Sequence, residues 1–126
     1  MDGLGGWNLM KVKFKDWNCI IEWGIYLENK NIAIKLLDEQ TKELVAIATT
    51  NISEETDWGK IQVKDWSENR GMWEALVNAG VIESEPVDKI TSYFVQAKVG
   101  KLTEKADKDF INWARYNGWK LLIDGD

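Results

Sequence analysis

The residues that could do chemistry in this chain of 126 residues are its carboxylates and its tryptophans. There is no histidine, and Cys19 is the single cysteine. The absence of imidazole removes the commonest general base, the commonest zinc ligand and any Ser-His-Asp triad. A catalytic thiolate would want an activating base, so Cys19, beside Ile20 and Ile21, reads as a small buried apolar residue. One thiol without histidine cannot close a zinc site within one chain, and neither a metal site nor a cofactor is expected. Glu54, Glu55 and Asp57 form an acidic loop whose oxygens suit magnesium or calcium. The loop lacks the alternating ligands and turn glycine of a calcium site, so it reads as solvated. Asp65 with Glu68, or Glu83 with Glu85, could serve as acid and base, but nothing in the sequence brings either pair into a cleft. Gly3, Gly5 and Gly6 precede any strand and so lack the setting of a phosphate loop. No catalytic residue is assigned, and the chain is expected not to be an enzyme. A small carboxylate- and magnesium-dependent hydrolase or nuclease is an alternative.

Eight tryptophans are the second chemical resource. Trp23, Trp73, Trp113 and Trp119 lie on apolar stretches and read as core, and the first three are expected to be buried. Trp7, Trp17, Trp58 and Trp66 sit among polar residues, three of them directly after Asp16, Asp57 and Asp65. Each of the last three either plugs an end of a sheet or belongs to an aromatic patch for a protein, peptide or sugar. The expected contact surface joins Trp58 and Trp66, at the two ends of a short strand, to Glu54, Glu55 and Asp57. Its acidic side would favour a basic partner and act on orientation and association rate.

These residues need elements to hold them. Met10 to Phe14 alternates as a short strand. Ile20 to Leu27 presents Ile21, Trp23, Ile25 and Leu27 on one face, and Ile32, Ile34 and Leu36 define a second strand after the Asn29-Lys30-Asn31 turn. A polar loop, Asp38 to Glu43, leads to a third strand over Leu44 to Asn51, where Val45, Ile47 and Thr49 alternate with Ala46, Ala48 and Thr50. Connections this short predict an antiparallel meander. Lys60 to Trp66 is a further short strand. A helix follows with Met72, Trp73, Leu76 and Val77 as its stripe, Ser67 or Asn69 as its cap and Gly80 as its stop. Ile90 to Val99 reads as one strand, with Tyr93, Val95 and Ala97 on one side and Phe94 on the other. Thr103 opens a second helix whose apolar face is Ala106, Phe110, Trp113 and Ala114, ended by Gly118. Trp119 to Ile123 is expected as a final short strand. The class is α+β, one domain over residues 10–126 with a mostly antiparallel sheet, preceded by a flexible start over residues 1–9.

A chain that is 44% apolar and 29% charged is globular. Its net charge of −5, with basic residues scattered singly, argues against a nucleic-acid partner. No apolar run is long enough to span a membrane and no signal-peptide pattern is present, so cytoplasm is the expected compartment.

The most distinctive block runs through Ala48, Thr49 and Asn51 to Lys64, Trp66, Ser67, Glu68, Asn69 and Gly71. It resembles a family of small uncharacterised proteins encoded by bacteriophages and other mobile elements of bacteria. In that family a strand ending in Ala-Thr-x-Asn precedes a Lys-x-aromatic-Ser-Glu-Asn-x-Gly stretch and a helix. The resemblance covers roughly Trp17 to Ile82. It implies a small accessory protein that binds a host protein, with defence systems among the candidates, and it carries no activity. Homo-oligomerisation as a structural or assembly protein is the competing expectation.

Overall fold

Strand β1 (Lys11–Phe14) turns through Lys15 and Asp16 into β2 (Trp17–Ile25), with Phe14 opposite Trp17. Lys15 takes a positive φ of 56°, as the first position of a primed hairpin turn requires. This early closure starts β2 three residues before its apolar alternation begins. β3 (Ile32–Asp38) pairs antiparallel with β2, and β4 (Leu44–Ile47) with β3. A computed structural model describes residues 10–52 and 56–119 of the chain. The flexible start, Trp7, Glu54, Glu55 and the final strand beyond Trp119 lie outside the described residues.

The period of two sets the inward face of this sheet. Val12, Cys19, Ile21, Trp23, Ile34 and Leu36 share it, and all are buried. A register shift between Leu36 and Leu37 decides what β4 contributes. Ala46 stands opposite Leu36 on the core side, while Ile47 stands opposite Lys35 and is exposed. The third strand, expected over Leu44 to Asn51, ends at Ile47, and its alternation is partial: Ala46 and Ala48 turn inward, but Val45 also packs on the core and Thr49 is buried.

β5 (Lys60–Val63), β6 (Asp88–Ser92) and β7 (Val95–Lys101) form a three-stranded antiparallel sheet in the order β5-β7-β6. The stretch read as one strand from Ile90 to Val99 is therefore a hairpin, folded at Tyr93 and Phe94. An isolated bridge between Thr49 and Val63 joins this sheet to the first. There Ala48 donates its N–H to Ile34 and accepts from Lys64, and the Thr50 N–H reaches the Gln62 carbonyl. The Thr49 hydroxyl accepts from the Ile34 N–H at 3.1 Å and lies 3.1 Å from the Tyr26 hydroxyl. The Ala-Thr-Thr-Asn stretch is thus the seam between the two sheets.

Helix α1 (Met72–Asn78) packs Met72 and Leu76 inward beside β1. Its start differs from the expected Ser67 or Asn69 cap. Ser67–Asn69 is a separate 3-10 turn, and the residue before α1 is Gly71 at φ 97°. The capping oxygen is Asp65 Oδ1, which accepts from the Gly71 and Trp73 N–H groups at 3.0 and 3.2 Å. Asn69 is buried instead, and its amide donates to the carbonyls of Ile47 and Lys64 at 2.6 and 3.2 Å. The left-handed turn at Gly71 separates these two jobs, which one helical run could not do.

Helix α2 (Glu104–Tyr116) begins as the sequence indicates, with Thr103 Oγ1 accepting from the Ala106 N–H. Ala106, Phe110 and Ala114 are buried. The Phe110 ring meets Trp23 edge-on at 5.5 Å and Trp58 at 5.2 Å, and lies 5.9 Å from Trp113. Trp23 is buried as expected. Trp73 and Trp113 are only partly buried, packed against the core from its rim. Trp73 covers Gly100, where a Cβ would lie 3.2 Å from the indole, and the Lys98 ammonium lies 5.5 Å from its ring centroid. The whole is one α+β domain of two bridged antiparallel sheets and two helices.

Candidate functional site

Trp58 and Trp66 do flank β5, but they are used differently. Trp58 is held on both its ring and its N–H. It packs against Phe110, and Nε1 donates to the Lys30 carbonyl at 2.6 Å. That is the geometry of a residue closing an end of the core. Asp57 is exposed, with its carboxylate 3.8 Å from Lys60. The loop in which it lies is tied at both sides. Gln62, itself buried, exchanges hydrogen bonds with the backbone of Ile52, and the Thr56 N–H donates to Asn31 Oδ1 at 2.7 Å. A hollow of about 140 Å³ beside Asp57 is lined by Thr56, Lys60, Asp88 and Ile90.

Trp66 faces a different setting. It lines a hollow of about 320 Å³ together with Val63, Asp65, Phe94, Val95, Gln96 and Lys98. Phe94 borders this hollow from the β6–β7 turn and is 99% exposed, and its neighbour Tyr93 is 95% exposed. Ser92 pairs with Val95, so the two aromatic residues alone make the turn. Tyr93 adopts φ 49°. A bulky side chain in the left-handed region is unfavourable by about 1–3 kcal/mol, and turns of this kind ordinarily take Gly, Asn or Asp. Tyr93 is the only aromatic residue at positive φ among those described. The chain thus places two rings in solvent, one of them, Tyr93, at a backbone conformation that disfavours it.

Of the carboxylates read as acid–base candidates, Glu83 and Glu85 are exposed, and Asp65 and Glu68 are engaged elsewhere. Asp65 caps α1. Glu68 lies 2.7 Å from Lys64, whose hydrogen bond holds its carboxyl below the ordinary range. Among the described residues no three Asp, Glu or Cys side chains gather to hold a metal ion, and no helix is long and apolar enough to cross a membrane.

Tyr93, Phe94, Gln96 and Lys98 were not picked out as a surface from the sequence. Between Asp88 and Val99 there is no Gly, Pro or Asn to announce a turn. The available signal was length: an apolar pattern running from Val87 to Lys101 is too long for a common strand of about five or six residues. Of the five residues expected to form the contact surface, Trp66 borders the aromatic tip, Trp58 and Asp57 lie toward the opposite end of β5, and Glu54 and Glu55 are not described.

No family model matches the chain, and no curated protein and no solved structure matches it.

Proposed function

We propose that this protein is a non-enzymatic protein-binding domain whose contact surface is the β6–β7 tip with the hollow beside Trp66. The observation that carries the reading is the pair Tyr93 and Phe94, fully exposed on an unfavourable two-residue turn. Strain of this kind concentrates at functional positions, and exposed aromatic anchors beside a cleft are what interface hot spots are made of. The tip is carried by two hydrogen-bonded strands, so it reaches a partner with little ordering cost. Trp66 belongs to the same surface. Trp58 supports it from the core, and Asp57 is an exposed acidic residue toward the other end of β5.

The resemblance of the Ala48 to Gly71 block to phage and mobile-element proteins favours a bacterial host protein as the partner, including one of a defence system, with the domain acting by covering a site. The positions of that motif hold the scaffold: Asn69 and Gly71 fix the approach to α1, and Thr49 the seam. The test is capture from bacterial lysate by the wild type, Phe94→Ser and Trp66→Ala. Retained folding with lost capture in Phe94→Ser is expected. Equal capture by all three proteins would place the functional surface elsewhere.

A further inference from the structure

Helix α2 closes on Asn117-Gly118, the single Asn-Gly pair in the chain. Gly118 takes φ 88°, the left-handed position that ends a helix and that glycine fills without strain. Its N–H donates to the Arg115 carbonyl at 3.3 Å, and the Trp119 N–H donates to the Ala114 carbonyl at 2.8 Å. The Asn117 side-chain amide turns back onto the helix and donates to the Trp113 carbonyl at 2.8 Å. Both residues of the pair are exposed. A Cβ built at Gly118 would meet nothing within 4 Å, so no other part of the described fold covers it. Asparagine is a thermolabile side chain. It is most so before glycine, whose backbone nitrogen no Cβ shields from the neighbouring amide.

We propose that Asn117 is a site of spontaneous, irreversible modification that undoes the C-terminal cap of α2. In the closed cap the reacting atoms are kept apart. Asn117 sits at ψ 16°, close to helical, with its amide on Trp113 and the Gly118 N–H on Arg115. Helix ends fray, and fraying lets the Gly118 nitrogen reach its neighbour's side chain. That nitrogen gives its proton to hydroxide and attacks Asn117 Cγ. A C–N bond forms, closing a succinimide ring; the Cγ–Nδ2 bond breaks and ammonia leaves. Water then opens the ring at either carbonyl, giving aspartate or its isomer, in which the main chain runs through Cβ and Cγ. Loss of ammonia makes the change permanent. Neither product rebuilds the cap. Each sets a carboxylate at the negative end of the helix dipole, where it is unfavourable, and neither has an amide to give Trp113. The isomer also lengthens the chain inside the Ala114–Trp119 hydrogen bond. Trp119 packs on the rim of the core, with the Lys30 ammonium 6.0 Å from its ring centroid, so the loosening reaches that rim.

Incubation of the untagged full chain at mildly alkaline pH, native and in urea, tests this. Trypsin cuts after Arg115 and Lys120 and isolates the peptide Tyr116 to Lys120. Mass and chromatography are expected to show that peptide converting to the acid and its isomer, roughly tenfold faster in urea than in the native chain. The aged native protein should melt below the fresh protein in proportion to its converted fraction. Freshly made Asn117→Asp, which carries one of the two products from the start, should also melt below the wild type. Asn117→Gln should age with neither conversion of this peptide nor a fall in melting temperature. A peptide still wholly amide in the native chain when the urea sample has converted overturns the proposal, as do equal rates in the two. An aged, converted wild type that melts with the fresh protein overturns it as well.

Discussion

At Tyr93 the proposed contact surface sets stability against binding. The φ of 49° there is one that glycine adopts freely. Tyr93→Gly should therefore stabilise the fold, by about 1 kcal/mol, while weakening capture from lysate. Thermal unfolding and a binding assay on the same preparation check this, and a variant that loses both stability and binding would mean that the tyrosine packs in the native state. Asn69 is the opposite kind of residue. Buried, it donates to the carbonyls of Ile47, at the end of β4, and Lys64, just after β5. Asn69→Ala leaves both acceptors in a dry setting and should cost about 1–3 kcal/mol, with no effect on binding beyond the loss of folded protein. Cys19 is buried on the inner face of β2, and that burial, followed by the Asp38 carboxylate, raises its thiol above the ordinary range. At neutral pH in native protein it should resist iodoacetamide and react only on unfolding.

At the scale of elements, periodicity was informative wherever one face of a segment is buried. In the inward sets of β2 and β3, Ile21 and Trp23 with Ile32, Ile34 and Leu36 stand where their alternation places them, Ile25 is partly buried, and Leu27, expected on the same face, is exposed beyond the end of β2. The stripe of α2 also stands where its period places it, with Thr103 as its cap. What was not legible depends on contacts made far along the chain. The cap of α1 comes from Asp65, eight residues before Trp73, through a turn that needs Gly71 at positive φ. Residues of type Ser, Glu and Asn just before a helix favour its first turn, and here Asn69 is drawn off by the Ile47 carbonyl. The β6–β7 turn was hidden because its residues are chosen against turn propensity. The β3–β4 loop gives an element-scale pH effect. Asp38 Oδ1 accepts from the Gln40 and Thr41 N–H groups at 2.8 and 3.0 Å, which holds its carboxyl below the ordinary range. A depressed carboxyl contributes stability that is present above its unfolded pKa and is lost as pH falls through its folded pKa. Asp38→Ala should thus be less stable than wild type at neutral pH, and the difference should shrink on acidification. A difference independent of pH, in paired denaturation curves, would assign the effect to chain entropy in place of the carboxylate.

The molecule as a whole depends on the seam at Thr49. Through the bridge to Val63, the order β1-β2-β3-β4 continues into β5-β7-β6, and one hydrophobic cluster runs beneath, from Val12 and Trp23 to Ile61 and Phe110. The tip therefore stands on the same cooperative unit that contains the first meander. A binding surface built this way is rigid, and its loss by mutation is easily confused with unfolding. Trp58 is the case in point. Its ring lies on Phe110 and its N–H on Lys30, so Trp58→Ala should destabilise the whole domain by about 3–5 kcal/mol. Phe94→Ser should leave stability unchanged. The seam itself is tested by native-state hydrogen exchange. The amides of Thr50 and Lys64, which donate across it to Gln62 and Ala48, should exchange only through global unfolding, at the same free energy as Ile21, whose amide donates to the Met10 carbonyl within the first meander. Slow exchange at Ile21 with fast exchange at Thr50 and Lys64 would show that the two sheets open independently. The tip would then ride on a separately unfolding half, and its exposed rings would owe their position to that half alone.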